Sequence, residues 1–149
     1  MQQSDKPVYS ISMAAKLMGI SVHTLRKYEL RGFILPFKTE TNQRLYSDTE
    51  VERIKRIMKE LSEGRLSIKS IQKMAALIPC WLQRECSDED RRNCRSYEEY
   101  DKPCWMYKHE DNLCEKYNCR ECEVYKFNTD PEKIRETIRI AFVDKNSRD

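Results

Sequence analysis

The chain has 149 residues, 36% of them charged and 39% hydrophobic, with a net charge of +3 and a mean hydropathy of −0.85. No apolar run approaches the roughly 20 residues of a membrane helix, and the opening MQQSDKPVYS has neither the basic start nor the apolar stretch of a secretion signal, so a cytoplasmic protein with no membrane partner is expected. The length allows one domain or two small ones, and the charge divides unevenly: residues 1–78 hold 14 Lys and Arg against 8 Asp and Glu, residues 79–149 hold 14 against 17.

The first elements form one group. Ser12 reads as an N-cap, Ala15, Leu17 and Met18 as an inward face, and Gly19 as a left-handed stop. Ser21 caps a second helix whose Val22, Leu25 and Glu29 follow three- and four-residue steps until Gly32 ends it. Two such short helices must share a core, which leaves His23, Thr24, Arg26, Lys27 and Tyr28 on an outer face, the face a helix-turn-helix lays into the major groove. Ser21 at the cap belongs to the same candidate DNA surface.

Phe33-Ile34-Leu35 and Arg44-Leu45-Tyr46 flank a polar segment, which suggests a hairpin. Its tip would offer Lys38, Asn42 and Arg44 to the DNA backbone, as the wing of a winged helix does. Ser47-Asp48-Thr49-Glu50 is a capping box. In the helix that follows, Val51, Ile54, Ile57, Met58 and Leu61 form the apolar face, and Glu52, Arg53, Lys55, Arg56, Lys59 and Glu60 the polar one, up to Gly64. Ser67 starts another helix with Ile68, Ile71, Met74, Ala75 and Ile78 inward, and Pro79 closes it.

The ordered set YSISMAAKLMGISVHTLRKYE, RGFILP and NQRLYS resembles the N-terminal domain of MerR-type transcription regulators, nearest to their heat-shock-repressor and glutamine-repressor-like branch. The resemblance covers residues 9–78. It implies a winged helix-turn-helix that binds double-stranded DNA at a palindromic operator as a homodimer, with RNA polymerase a partner at the promoter. By position it implies DNA contacts from Thr24, Arg26, Tyr28, Lys38, Arg44 and Tyr46. The residues themselves leave another reading of Tyr28 and Tyr46, as core rings with a wet hydroxyl. MerR relatives commonly continue into a long dimerising helix; here Pro79 interrupts, and no heptad follows.

All seven cysteines lie between Cys80 and Cys122. In a reducing compartment such clustering points to metal or redox groups more than to disulfides. The segment is internally duplicated: Pro79-Cys80-Trp81 recurs as Pro103-Cys104-Trp105, and the stretch from Asn93 to Tyr100 recurs from Asn118 to Tyr125. Cys80, Cys94, Cys104 and Cys119 are then equivalent positions and the core metal candidates, with Cys86, Cys114 and Cys122 as additional ones. Four thiolates suit a tetrahedral zinc or an iron–sulfur cluster. The wide spacing, with Trp81 and Trp105 available as shielding or as simple core, tilts the choice toward the cluster.

His109, beside Glu110 and Asp111, reads as a solvated loop residue, although seven cysteines and one histidine would also make eight ligands for two zincs. The region resembles the two-CW cysteine-rich module attached to bacterial signalling proteins, through PCW, PCW and CRECEVY; the resemblance implies a sensory or small regulatory role.

Asp130-Pro131 opens a last helix with Ile134, Ile138, Ala141 and Phe142 on one stripe, widened by Ile140 and Val143. The stripe could bury against its own cysteine-rich unit or against a second copy.

The fold expected is mainly α: a winged helix-turn-helix with a small β-hairpin wing over 1–78, a cysteine-rich irregular or helical module over 79–128, and an amphipathic helix and tail over 129–149. The function expected is a transcription regulator whose metal or cluster state positions two DNA-reading heads. Its rivals are a structural zinc centre that replaces the dimerising coiled coil, and, more weakly, a thiol redox enzyme, since Cys119-x-x-Cys122 lacks the strand-helix context such chemistry uses and no paired acid and base appears.

Overall fold

Ser10, not Ser12, opens α1 (Ile11–Met18): its hydroxyl accepts the Met13 N–H at 3.3 Å, while Ser12 falls inside the helix. Gly19, at φ +73°, ends α1, and its N–H reaches the Lys16 carbonyl at 3.2 Å. A Cβ there would meet no atom within 4 Å, so the left-handed conformation alone selects glycine. Ser21 caps α2 (Val22–Leu30), accepting from the Thr24 N–H at 3.0 Å. Ala14, Ala15 and Met18 of α1 and Leu25 of α2 are buried together, whereas Leu17 points outward and is 40% exposed.

These coordinates come from a computed structural model, which describes residues 5–127 and 130–146. The chain divides into two compact units, Met1–Ile71 and Gln72–Asp149, so the contact boundary falls within a helix shortly before Pro79.

In the first unit, three short antiparallel strands run in the order β1-β3-β2: β1 (Tyr9–Ser10), β2 (Phe37–Lys38) and β3 (Arg44–Tyr46). Tyr9 pairs with Tyr46, and Lys38 with Arg44. The wing is therefore real but shorter than its apolar flanks suggest. Phe33 and Ile34 close off α2, the Phe33 N–H bonding the Tyr28 carbonyl at 3.0 Å, and both side chains fill the core. The turn is tied by the Thr39 N–H to the Gln43 carbonyl at 2.9 Å and passes through Asn42 at φ +62°, a conformation asparagine tolerates.

α3 (Asp48–Ser62) opens on the expected capping box, where the buried Glu50 carboxylate accepts the Ser47 N–H at 2.7 Å and the Ser47 hydroxyl. Val51, Ile54 and Ile57 enter the core with Tyr46. Arg53, assigned by its spacing to the polar face, is instead only 2% exposed. α4 (Ile68–Ala76) follows, with Ile68 and Ile71 packed on this core and Met74 exposed rather than inward.

The second unit is built from short pieces: α5 (Cys80–Gln83), α6 (Asp88–Arg92), α7 (Arg95–Glu98), 3-10 turns at Cys104–Met106, Leu113–Lys116 and Cys119–Glu121, then α8 (Glu123–Phe127) and α9 (Pro131–Asn146). Ile78, Trp105, Tyr107, Val124 and Tyr125 are its buried aromatic and aliphatic side chains among the described residues. Asp130 caps α9, accepting the Glu132 N–H at 3.1 Å. The helix rests on its own unit through α5, where Gln83 Nε2 donates to Thr137 Oγ1 at 3.0 Å. Ile138, Ile140 and Val143 stay exposed; the side chains of Ala141 and Phe142 lie outside the described residues.

Candidate nucleic-acid interface and thiol cavity

The helix α2 and the wing are joined by one carboxylate. Glu29, whose side chain is 10% exposed, accepts from Arg44 Nε at 3.0 Å and from the Tyr46 hydroxyl. Lys38 and Arg44 stand opposite each other in the hairpin, a like-charge pair that would repel, and Glu29 offsets one of the two charges. Burial first, then the Glu29 hydrogen bond and charge, push the Tyr46 pKa well above the usual phenol range, while Arg44 and Arg26 both pull it back. Both guanidinium groups, Arg26 of α2 and Arg44 of the wing, are thus near enough to the buried Tyr46 hydroxyl to act on it.

Of the candidate DNA-contact residues, His23, Arg26, Lys27, Lys38 and Asn42 are exposed, and Thr24, Tyr28 and Arg44 half-buried. Ser21 is exposed, but its hydroxyl is engaged with the Thr24 N–H and the Thr24 hydroxyl, both at 3.0 Å. Tyr28 packs its ring on Phe33, centroids 5.5 Å apart. Tyr46 is a correction. It is fully buried and its hydroxyl is spent on Glu29, so the direct DNA contact implied by its position gives way to a bracing role. A hydroxyl at a strand end facing a carboxylate on the neighbouring helix is no different in sequence from one facing a phosphate.

In the second unit all seven cysteines, Cys80, Cys86, Cys94, Cys104, Cys114, Cys119 and Cys122, line one cavity of about 40 Å³. All are free thiols and partly buried. Among the described residues no three His, Cys, Asp or Glu side chains converge tightly enough to hold a metal ion, so the sulfurs are gathered but not closed on a centre.

His109 lines the same cavity and is half-buried, unlike the solvated loop residue its neighbours suggest. Its Nε2 lies 2.9 Å from the Cys104 carbonyl oxygen, to which it can only donate. The cue available in sequence was the eight-ligand count; the burial was not.

The two halves are related in a register different from the one read above. Trp81 meets Tyr97 edge-on at 5.2 Å and 82°, and Trp105 meets Tyr125 at 5.3 Å and 82°. Tyr97 stands three residues after Cys94 in α7, and Tyr125 three residues after Cys122 in α8. Cys86 and Cys94 therefore correspond to Cys114 and Cys122, with seven residues between the members of each pair. Cys119, taken as the counterpart of Cys94, is the unmatched thiol. The Asn-Cys-Arg identity at both places drew the sequence reading to the wrong partner.

The thiols perturb one another. Cys104 donates to Cys80, so the Cys80 pKa is lowered and that of Cys104 raised by the same contact. Burial pushes Cys114 up to about 12, and raises Cys86 and Cys119. At Cys94 burial works upward, but His109, the Ser96 hydroxyl at 3.0 Å and the Tyr97 N–H together bring it below its usual value. Arg84 stacks over Tyr117 at 4.4 Å and stands beside Cys122 and Cys114, where it can offset thiolate charge.

The first unit is thus a winged helix-turn-helix with exposed cations at Arg26 and Lys27 of α2 and Lys38 of the wing. Residues 9–77 match the family described as MerR HTH family regulatory protein, and this segment is a MerR-family helix-turn-helix domain. The chain is 32% identical over 73 residues to a Streptomyces coelicolor protein assigned as heat shock protein HspR, a match covering 49% of this chain and 48% of that protein. It is 38% identical over 60 residues to the HTH-type transcriptional regulator TnrA of Bacillus subtilis, covering 40% and 54%. The chain spans about half the length of these curated relatives. Its cysteines, from Cys80 onward, lie beyond the family match. Among the described residues no helix is long and apolar enough to cross a membrane.

Proposed function

We propose that the chain is a DNA-binding transcription regulator. Its head lays α2 in the major groove and its wing along the backbone, acting as a homodimer on a palindromic operator at a promoter, within reach of RNA polymerase. Ser21, His23, Thr24, Arg26, Lys27, Tyr28, Lys38, Asn42 and Arg44 form the contact surface, with Tyr46 behind it. The observation that supports this reading is the Glu29 clasp, which ties α2 to the wing through Arg44 and Tyr46. In dsDNA such cations supply the salt-dependent part of affinity and a helix the sequence-dependent part.

The cysteine-rich unit binds a metal ion or an iron–sulfur cluster, and its loading state tunes operator binding. The donor set supports this: seven half-buried thiols around one cavity are ligands of the kind that zinc and iron–sulfur centres use. No catalytic step is assigned to the chain.

The test is selection of bound fragments from a random duplex pool by the full chain, purified without oxygen, then titration of the selected duplex at several salt concentrations. A symmetric consensus with steep salt dependence supports the reading; weak binding without sequence preference sinks it. Equal operator affinity for metal-loaded, metal-free and oxidised protein would leave DNA binding intact and remove the regulatory part, favouring a structural centre.

A further inference from the structure

His109 is held in an unusual way for a histidine without a ligand. Its Nε2 hydrogen is committed to the Cys104 carbonyl at 2.9 Å, which leaves Nδ1 turned to the thiols. That Nδ1 is buried, and what it faces is the Cys94 sulfur, with Cys80 next. A thiol is a weak donor, so the buried lone pair is poorly compensated for its lost water. Metal-bound histidines show this same arrangement, one nitrogen donating to a carbonyl or carboxylate while the other faces the ion.

The neighbourhood divides the remaining donors. Cys80, Cys86 and Cys94 line a second, smaller recess with Trp81 and Tyr97, and Cys86 faces both of its companions. Cys119 and Cys122 stand near Cys104 in the main cavity. Cys114 borders both groups; the repeat pairs it with Cys122, as Cys86 with Cys94, and Arg84 stands beside these two. The main cavity, at about 40 Å³, exceeds the roughly 10–15 Å³ that one water requires.

We propose that His109 Nδ1 completes a mixed site with Cys80, Cys86 and Cys94, and that Cys104, Cys114, Cys119 and Cys122 form an all-thiolate site, each taking one tetrahedral ion of the zinc type. This deepens, and rests on, the reading of the cysteine-rich unit as a metal centre. A four-thiolate zinc carries two negative charges and a three-thiolate one carries one, and Arg84 stands at the more charged of the two. Closing the sulfurs onto the ions is the step that binding itself supplies.

The experiment uses the full chain refolded with cadmium-113 and, in parallel, with zinc. Two metal ions per chain and two cadmium resonances are expected, one in the four-sulfur region and one shifted as for three sulfurs and a nitrogen. His109→Ala should lose or displace the second resonance and leave the first. His109→Cys should restore two ions and move the second resonance into the four-sulfur region, which shows that the fold tolerates change at this position. A His109→Ala spectrum identical to that of the parent, or a single metal per chain, overturns the assignment while leaving metal binding in place. Iron with acid-labile sulfide after anaerobic purification, with visible charge-transfer bands, also overturns it. No bound metal of any kind would remove the underlying reading instead.

Discussion

Glu29 of the reading helix and Tyr46 of the wing strand share a hydrogen bond inside the head, and the second oxygen of the same carboxylate takes Arg44 at 3.0 Å. This clasp fixes the wing angle against α2. Glu29→Ala removes a negative charge from a DNA-facing surface, so simple electrostatics would raise affinity for any duplex. Bracing demands the opposite for the specific site. A buried hydroxyl is left unpaired and Arg44 is released, a loss of about 1.5–3 kcal/mol in stability. We expect a lower Tm and at least a several-fold weaker specific complex, with non-specific binding unchanged or stronger. Tighter binding to the selected operator would refute the clasp.

The Tyr46 phenol gives the head a pH signature. Its pKa is raised in the folded state, by burial first and by Glu29 second, above the ordinary value of about 10 in an unfolded chain. The neutral phenol is thus the form that folding favours. Its stabilisation is fully present below about pH 10 and is lost as pH rises beyond that, because the unfolded chain releases the proton first. Thermal melts of the full chain and of Tyr46→Phe should differ most near neutrality and draw together above about pH 10. A constant gap across that range would count against the coupling.

Arg26 and Lys38 should behave differently on DNA, one standing on the reading helix and one in the wing. Arg26→Ala is expected to cost about 1–3 kcal/mol on the selected operator and little on unrelated duplex. Lys38→Ala should weaken both alike and flatten the slope of log K against log salt by about one ion's worth, roughly 0.9. Binding isotherms at four salt concentrations separate the two outcomes.

What was legible in the sequence, and what was not, follows from range of interaction. Caps and stops are local chemistry, so Ser21, Gly19 and the Ser47–Glu50 box fall where the residues indicate. The amphipathic period of α3 likewise predicts Val51, Ile54 and Ile57 as core. Failures come where a distant group decides. Ser10 outcompetes Ser12 as cap because β1 delivers the chain extended into that position, and a two-residue strand leaves no periodic trace. Phe33 and Ile34 look like a strand but are drawn into the core beneath α2, and Tyr46, open in sequence to a DNA contact or a core ring with a wet hydroxyl, has its ring buried and its hydroxyl on Glu29. In the second unit the thiols could be counted and the cavity could not. The aromatic pairs, which no residue pattern announces, fix the true register of the repeat.

Those aromatic pairs also make removal of metal visible. Both tryptophans of the chain, Trp81 and Trp105, belong to the cysteine-rich unit, so tryptophan emission reports that unit alone. Trp105 is 8% exposed against Tyr125 at 1%, whereas Tyr97, the partner of Trp81, is 43% exposed. Apart from α9, this unit is assembled from helices of four or five residues and 3-10 turns, and in small metal-binding domains of that kind a bound metal commonly supplies folding stability. Chelation under reducing conditions should therefore shift the emission to the red, chiefly through Trp105, while the helices of the head retain their far-ultraviolet signal and their melting transition. Trp105→Phe should remove most of the shift and Trp81→Phe little of it. An emission maximum that ignores chelation, in protein shown by elemental analysis to have lost its metal, would mean that the aromatic pairs hold this unit together without help from the thiols.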